Sequence, residues 1–287
     1  MDTRFLDSFI AAVELGSLAE AARRLNLTPA AVAQRVKALE QEFGTKLLAR
    51  AGRTVGPTEA GTAVFQKARG LLRDFRDMRA MATGDVAAGE LRLGAISTAL
   101  TGILPEILSR LAESYPQLGV FVAPGTSVEL HRRVMDGDLD AAIVVRPPFP
   151  LPKAVSWRLL REEPLVLISH SALRDRSPRD LLSNEPFVRY DRNHWGGRLA
   201  DGYLRYTRIR PRERFELDAL EAIAVLVDRG LGVSLVPDWA PPWPAGLSLR
   251  KRLVSAPGFQ RQVGLLWMRG SAQNRLIRAF LMGGVGS

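Results

Sequence analysis

Apolar side chains near the start of the chain recur at the three- and four-residue spacing of an α-helix. They are Phe5, Leu6, Phe9, Ile10 and Val13. The spacing predicts an amphipathic first helix, and Gly16 is expected to end it. Ser17 followed three residues later by Glu20 is a capping-box pattern, which predicts a second, short helix over Leu18–Leu25.

A third helix is predicted after a tight turn at Asn26 and Leu27. Thr28 can cap it, and Pro29 suits its first position because the amide there has no helical partner. The side chains expected to be buried are Val32, Val36 and Leu39. Two short helices joined by a short turn are the layout of a helix-turn-helix, although a three-helix bundle with merely solvated charges fits this pattern equally well.

An arginine-rich reversal follows the third helix. Basic residues lie on both sides of Ala51 and Gly52, with Lys46 and Arg50 before the turn and Arg53 after it. The pattern predicts a hairpin-like wing that can reach phosphates or a minor groove. A wing beside two such helices favours DNA binding over the simple bundle.

A long helix is then predicted over residues 58–81, capped by Thr58 and about 36 Å long. Its apolar positions step alternately by four and three residues. They are Val64, Ala68, Leu71, Phe75, Met78 and Ala82. Such a heptad seam predicts pairing with a second copy of the same helix, and packing against its own domain is the alternative.

Strands and helices alternate after residues 83–89, whose small and polar side chains predict a hinge. The predicted strands are 91–96, 120–123, 141–145, 165–168, 187–190, 233–236 and 263–267. The predicted helices are 103–115, 128–136, 199–206, 219–228 and 272–282. This alternation predicts parallel strands joined by crossover helices, and hence an α/β domain.

Arginines at alternate positions from Arg208 to Arg214 are interpreted as protection of an exposed strand edge, with a second anion site as the alternative.

Composition narrows the classes of function. A length of 287 residues suggests two domains, and 46% hydrophobic with 24% charged residues excludes global disorder. No apolar stretch reaches the length of a membrane helix and the N-terminus lacks a signal-peptide layout, so a cytoplasmic protein without membrane contact is expected. Cysteine is absent and the three histidines lie far apart, so no metal site and no cofactor are predicted.

The net charge of the chain indicates the chemical class of its partner. The formal net charge of +10 favours a polyanionic partner or an anionic ligand. Between Arg23 and Arg53, seven basic residues stand against two acidic ones. In the third helix, Gln34 can pair with adenine, and Arg35 with guanine or a phosphate.

The stretch from Leu15 to Gly61 resembles the DNA-binding region of LysR-type transcriptional regulators. The shared motifs read G-S-x-x-E-A-A-x-x-L, A-V-x-x-x-V-K-A-L-E, F-G-x-x-L-L-x-R and T-E-A-G. This chain departs from the family pattern at Pro29, where a glutamine is common, and at Ala33, where a serine is common. The resemblance implies that the DNA-binding residues are Ser17, Thr28, Pro29, Ala30, Ala31, Ala33, Gln34, Arg35, Lys37, Arg50, Arg53 and Thr54.

More diffuse landmarks extend the resemblance over the rest of the chain, among them Leu104-Pro105, Tyr115-Pro116 and the glycine-containing stretches 137–141 and 230–234. The resemblance implies an α+β multidomain fold: an N-terminal winged helix-turn-helix with a long linker helix, then a periplasmic-binding-protein-like α/β effector domain of two subdomains. The implied boundaries are 1–57 for the winged helix-turn-helix, 58–89 for the dimerisation helix and hinge, 90–162 with 266–287 for subdomain I, and 163–265 for subdomain II.

An effector cleft is expected where loops follow the carboxyl ends of neighbouring strands. Hydroxyl groups follow the first two strands at Ser97-Thr98 and Thr126-Ser127, and Arg146 follows the third. Together they predict a cradle for a carboxylate, although helix capping and a solvated arginine would explain the same residues. Further candidate effector-binding residues are His194, Trp195 and Ser234.

The predicted function is a DNA-binding transcription regulator that responds to a small, anionic or carboxylate-bearing effector. The expected partners are double-stranded DNA with an inverted-repeat operator, a second or further copy in a homodimer or homotetramer, and RNA polymerase. The alternative is a cytoplasmic solute-binding protein without sequence-specific DNA binding. Enzymatic activity is not expected, since the sequence lacks the G-x-S-x-G, P-loop, H-E-x-x-H and G-x-G-x-x-G motifs.

Overall fold

A computed structural model describes residues 2–51, 54–82, 90–254, 258–271 and 273–284. The chain divides into two units that part near residue 86. The hinge predicted over 83–89 and the wing residue Arg53 lie outside the described residues.

Three helices open the N-terminal unit at the predicted positions. They are α1 (Thr3–Leu15), α2 (Leu18–Leu25) and α3 (Pro29–Phe43). Each begins or ends at the expected local signal: Gly16 ends α1 with φ +62°, Ser17 Oγ accepts a hydrogen bond from the Glu20 amide, and Thr28 Oγ1 accepts one from the Ala31 amide at 3.2 Å. Capping side chains satisfy amides that the first helical turn leaves free, so local sequence alone places these boundaries.

The predicted wing is a two-stranded antiparallel hairpin. Its strands are β1 (Leu48–Ala51) and β2 (Thr54–Pro57), with Ala51 opposite Thr54. The Val55 amide donates to the carbonyl of Gly16 at 2.9 Å, so the second strand is tied to the end of α1. The wing is therefore held by the helical core as well as by its own pairing.

The long helix α4 (Glu59–Ala82) follows the wing, with Thr58 Oγ1 accepting from the Gly61 amide at 2.9 Å. The predicted seam divides into two parts. Ala68 is buried and Val64 packs against the core of the N-terminal unit, together with Leu72, which the heptad pattern did not include. The other described seam residues are exposed in the single chain. They are Leu71, Phe75 and Met78, whereas the side chain of Ala82, the last predicted seam residue, lies outside the described residues. The alternative of packing against the helix's own unit thus holds for the first part.

Gly61, in the first turn of α4, is expected to resist the substitution that usually stabilises a helix. A Cβ at this position would overlap the carbonyl oxygen of Leu47. Alanine commonly gains up to about 1 kcal/mol over glycine inside a helix. Because the neighbour here is backbone, we expect Gly61→Ala to destabilise the N-terminal unit by about 1–3 kcal/mol in urea unfolding followed by far-UV circular dichroism.

The matched control is Gly202→Ala, in a helix of the C-terminal unit where a Cβ would make an ordinary contact of 3.4 Å with Phe259. It is expected to leave stability unchanged or to raise it slightly. Equal effects of both substitutions would contradict a specific close approach at Gly61.

The C-terminal unit contains a seven-stranded sheet, through which one long strand runs, and a separate two-stranded sheet. The strands are β3 (Glu90–Ala95), β4 (Gly119–Pro124), β5 (Ala141–Val145), β6 (Val155–His170), β7 (Pro186–Tyr190), β8 (Arg212–Leu217), β9 (Ser234–Pro237), β10 (Leu249–Leu253) and β11 (Gln260–Met268). The helices are α5 (Ser97–Gly102), α6 (Leu104–Ser114), α7 (Ser127–Met135), α8 (Pro178–Asn184), α9 (Trp195–Tyr206), α10 (Leu220–Asp228) and α11 (Asn274–Gly284), with a 3₁₀ turn at Ser171–Leu173.

The expectation of an all-parallel arrangement is only partly correct. Strand β3 pairs in parallel with β4 and β5, and β7 with β8. Strand β6, however, runs antiparallel to β11 along its first part and antiparallel to β9 and β10 along its second. Strand β6 thus has different antiparallel partners along its two halves, and these partners are distant in sequence. The local alternation of strands and helices contains no information on such pairing.

The point at which the chain returns to subdomain I also differs from the predicted boundary at residue 266. Strand β11 begins at Gln260 and pairs with β5 from Val263 onward, so residues 260–265 belong to the first sheet. The predicted return at residue 266 falls inside this strand. Arg212 and Arg214 lie on β8, which in the described part of the chain pairs only with β7 and is exposed as far as Glu216, in agreement with arginines that protect an exposed strand edge.

Candidate nucleic-acid interface and effector cavity

One face of α3 is open to solvent. Its opposite face buries the predicted Val32, Val36 and Leu39 in the core of the N-terminal unit. The exposed residues of the predicted DNA-binding set are Thr28, Pro29, Ala30, Ala33, Gln34, Lys37 and Thr54. The small side chains stand near the start of the helix, and Gln34 and Lys37 project beyond them. A helix with this surface can approach the edges of bases closely and still present hydrogen-bonding groups.

Other members of the predicted set lie at the side of this face. Ser17 and Ala31 are half-buried, and the Ser17 hydroxyl caps α2. Arg35 is half-buried beside the start of α1, where its charge assists Arg4 in lowering the pKa of Asp2 to about 2; hydrogen bonds from Arg4 are the larger cause. Arg35 therefore stands at the flank of the exposed face. The side chain of Arg50, like the whole of Arg53, lies outside the described residues.

The buried carboxylate of Glu40 attaches the wing to α3. Its Oε1 accepts hydrogen bonds from the amides of Leu47 at 2.9 Å and Leu48 at 3.2 Å, and its Oε2 accepts one from Lys46 Nζ at 2.8 Å. Burial acts to raise the pKa of Glu40, but the three donors outweigh it, and the pKa lies below its ordinary value. Sequence reasoning included Glu40 among the acidic residues of this basic stretch and at the end of the A-V-x-x-x-V-K-A-L-E motif, but assigned it no role.

A cavity of about 320 Å³ opens in the C-terminal unit where β3, β4, β7 and β8 meet their following helices. Six of the eight predicted effector-binding residues line it. They are Ser97, Thr98, Thr126, Ser127, His194 and Trp195. Its apolar wall consists chiefly of Ile96, Leu100, Val145 and Leu220 with Trp195. Polar groups on an apolar wall in a cavity of this size suit a small ligand.

The other two predicted effector-binding residues are elsewhere. Arg146 does not line the cavity: its Nη1 donates to Gln262 Oε1 at 2.8 Å, because the end of β5 faces β11 at this point. Ser234 is fully buried, and its hydroxyl donates to the carbonyl of Val188 at 2.6 Å, joining β9 to β7. Neither residue lines the cavity, so a carboxylate-binding role of Arg146 stays a prediction, whereas the Ser234 hydroxyl has a structural role.

A different arginine reaches the cavity. Arg261, on β11, is buried, and its Nε donates to Glu163 Oε2 at 2.6 Å while its Nη2 donates to Thr98 Oγ1 at 3.0 Å. Glu163 is its cross-strand neighbour on β6 and also accepts from the Ala240 amide at 3.2 Å. This ion pair therefore lies on the two strands that link the subdomains. No motif marked it, since its partners are distant in sequence.

Two further hydroxyl groups of the cavity are already hydrogen-bonded within the protein. Thr126 Oγ1 accepts from the Glu129 amide at 3.2 Å and Ser127 Oγ accepts from the Val145 amide at 3.0 Å, so capping and cavity lining coexist. Burial raises the pKa of the Tyr190 phenol, and Arg261 acts against that rise. Asp218 was missed by the sequence reasoning; it lines the cavity, and its charge also acts to raise the pKa of Tyr190.

The described part of the chain has neither a metal-binding cluster nor a membrane-spanning helix. None of its His, Asp and Glu side chains form a group of three or more that could hold a metal ion. None of its helices combines the length and the apolarity that crossing a bilayer requires.

Two family models match the chain. One is described as LysR substrate binding domain and matches residues 84–282. The other is described as bacterial regulatory helix-turn-helix protein, lysR family, and matches residues 3–62. Together they cover both units.

Individual proteins agree with the family models. The chain is 31% identical to the HTH-type transcriptional regulator IlvR of Caulobacter vibrioides, over 95% of this chain and 94% of that protein. It is 28% identical to the transcriptional activator IlvY of Salmonella typhimurium, over 83% of each. Among solved structures, a cysteine-to-aspartate variant of full-length OxyR from Pseudomonas aeruginosa is similar with a TM-score of 0.74, at 22% identity and 99% and 94% coverage. Full-length CbnR complexed with its target DNA is similar with a TM-score of 0.68, at 25% identity and 99% and 98% coverage.

Proposed function

Since this chain belongs to the LysR family of bacterial transcriptional regulators, we propose that it binds an inverted-repeat operator through α3 and the wing and releases or rearranges on that operator when a small effector fills the cavity. It is a DNA-binding transcription regulator with an effector-binding domain. The match over residues 3–62 leaves the alternative, a solute-binding protein without sequence-specific DNA binding, unsupported. We propose no enzymatic activity, and we place the protein in the cytoplasm, where its operator is accessible.

The observation that carries the DNA-binding proposal is the open face of α3. Gln34 projects from it and can form two hydrogen bonds with an adenine, whereas Lys37 can neutralise a phosphate. Arg35, at the flank, is assigned to the backbone rather than to a base. The small residues at Pro29, Ala30 and Ala33 let the helix approach the groove.

Dimerisation is proposed to use the exposed part of the α4 seam. Leu71, Phe75 and Met78 present an apolar stripe on a helix, and a second copy related by a two-fold axis would cover it. Two recognition helices related by that axis require half-sites one helical turn, or a multiple of it, apart. Assembly of dimers into tetramers and contact with RNA polymerase belong to the same proposal.

Footprinting on DNA that flanks the gene of this protein tests the proposal, with protection of an inverted repeat as the expected result.

Gln34→Ala is expected to cost about 1–3 kcal/mol of binding free energy on the protected site and nothing on random DNA. Lys37→Ala is expected to weaken binding to the protected site and to random DNA alike, and to reduce the slope of log K against log salt concentration by about one unit. Lys153→Ala, an exposed lysine of the C-terminal unit, serves as the control for lost charge. Equal losses of Gln34→Ala on operator and random DNA would remove Gln34 from base recognition.

A further inference from the structure

We propose that the effector of this regulator carries an ammonium group, held beside Asp218, and is not an anion alone. The inference rests on the proposed function, because it assumes that the cavity is the effector site. It replaces the carboxylate-bearing effector expected from the sequence, which depended on Arg146.

The arginine that lines the cavity is already neutralised. Arg261 and Glu163 are both buried and form an ion pair, with Nη2 and Nε of the arginine at 2.5 and 2.6 Å from the carboxylate. Two further groups of the cavity contact Arg261. The Thr98 hydroxyl accepts a hydrogen bond from its Nη2, and the Tyr190 phenol is hydrogen-bonded to its side chain. An anionic ligand would have to compete with Glu163 for a guanidinium that is bound within the protein.

The second positive feature is the N-terminus of α7, and it too has its own anion. The end of a helix carries about half a positive charge and commonly attracts anions. Here Glu129, in the first turn, folds back so that its Oε2 would lie 3.2 Å from a Cβ built on Gly125, directly before the helix. Thr126 caps the same turn. A carboxylate of the protein thus already lies beside this end of the helix.

Negative charge at the cavity is, by contrast, incompletely matched. Asp218 has a side chain that is 55% exposed, and its nearest cationic group in the described structure is His194 Nε2 at 3.7 Å. The same imidazole also faces Asp191 at 3.5 Å. Even when protonated, His194 carries one positive charge between two carboxylates, and the neighbouring end of α10 contributes only about a half. A cationic nitrogen of the ligand would complete this balance.

The apolar wall of the cavity determines what the uncharged part of the ligand can be. Ile96, Leu100, Val145 and Leu220 enclose a space that suits a short aliphatic chain. Amines and amino acids share the ammonium group, and both fit a cavity of about 320 Å³.

Calorimetric titration of the full-length protein tests the proposal with a panel of proteinogenic amino acids and short alkylamines. Each compound is paired with the carboxylic acid or alcohol that lacks its nitrogen. Binding is expected within the ammonium-bearing set, and the same compound is expected to lose about tenfold to a hundredfold in affinity in Asp218→Asn, since a charged hydrogen bond is replaced by a neutral one. Asp175→Asn, which removes an equally negative, 89% exposed side chain outside the cavity, is the control.

Three results would overturn the proposal: binding only of the nitrogen-free acids, no binding by any ammonium-bearing compound, or an affinity that Asp218→Asn leaves unchanged. Footprinting of the wild-type protein separates this failure from that of the proposed function. A protected operator whose footprint responds to carboxylic acids alone would retain the regulator and reject the ammonium group. Absence of any protected site would reject the DNA-binding proposal whatever the titrations show.

Discussion

Arg261→Ala is expected to destabilise the C-terminal unit by about 3–5 kcal/mol, the largest effect of any single substitution considered for this protein. The substitution leaves Glu163, which is 1% exposed, as a buried carboxylate without its cation. It also removes the hydrogen bond from β11 to Thr98, at the floor of the cavity. The cost therefore comes from an uncompensated charge more than from the attraction that is lost.

Tryptophan fluorescence during urea unfolding measures this effect in the full chain. All tryptophans lie in the C-terminal unit and report on it alone; they are Trp157, Trp195, Trp239, Trp243 and Trp267. Arg174→Ala, which breaks an ion pair whose side chains are both largely exposed, is the control and is expected to cost less than about 1 kcal/mol.

Removing both charges of the buried pair discriminates between the two sources of the cost. Arg261→Met combined with Glu163→Gln is expected to recover most of the stability that Arg261→Ala loses, because no buried charge then remains. A double variant as unstable as Arg261→Ala, or a single variant no worse than Arg174→Ala, would show that the ion pair is not what holds these strands.

Glu40→Ala is expected to destabilise the N-terminal unit by about 3 kcal/mol and to weaken operator binding strongly. The substitution leaves the amides of Leu47 and Leu48 without an acceptor and releases Lys46. The wing would lose its attachment to α3, so the two DNA-contacting elements would no longer hold one relative position. Far-UV circular dichroism follows unfolding of this helical unit, which contains no tryptophan.

Glu42→Ala, an exposed glutamate two residues further along the same helix, is the matched control and should change stability little. The pH dependence supplies a second test. Because the pKa of Glu40 is lowered in the folded state, its contribution is complete above its ordinary value of 4.5 and is lost as the pH falls through the folded value. The stability difference between wild type and Glu40→Ala should therefore shrink below pH 4.5; a difference independent of pH would contradict the carboxylate's role.

Local signals carried the predictions of the N-terminal unit. Caps such as Ser17 and Thr28 act on amides two or three residues away, and the apolar stripe of α3 repeats within one turn. These interactions are complete within a short stretch of chain, so the sequence alone placed α1, α2, α3 and the wing. The hydroxyl loops of the cavity were likewise predictable, since each directly follows a strand.

Long-range pairing decided the chemistry of the cavity. Arg261 meets Glu163 across 98 residues and Thr98 across 163 residues, through the register of β11 on β6. Local sequence pointed to Arg146, which directly follows a strand but donates a hydrogen bond to Gln262 instead. Hydrophobic periodicity determines which face of a strand is buried, and it contains no information on which distant strand lies beside it. The sequence by itself thus determined the family, the helices of the N-terminal unit and the hydroxyl-bearing loops of the cavity, whereas only the tertiary structure decided which charges meet there.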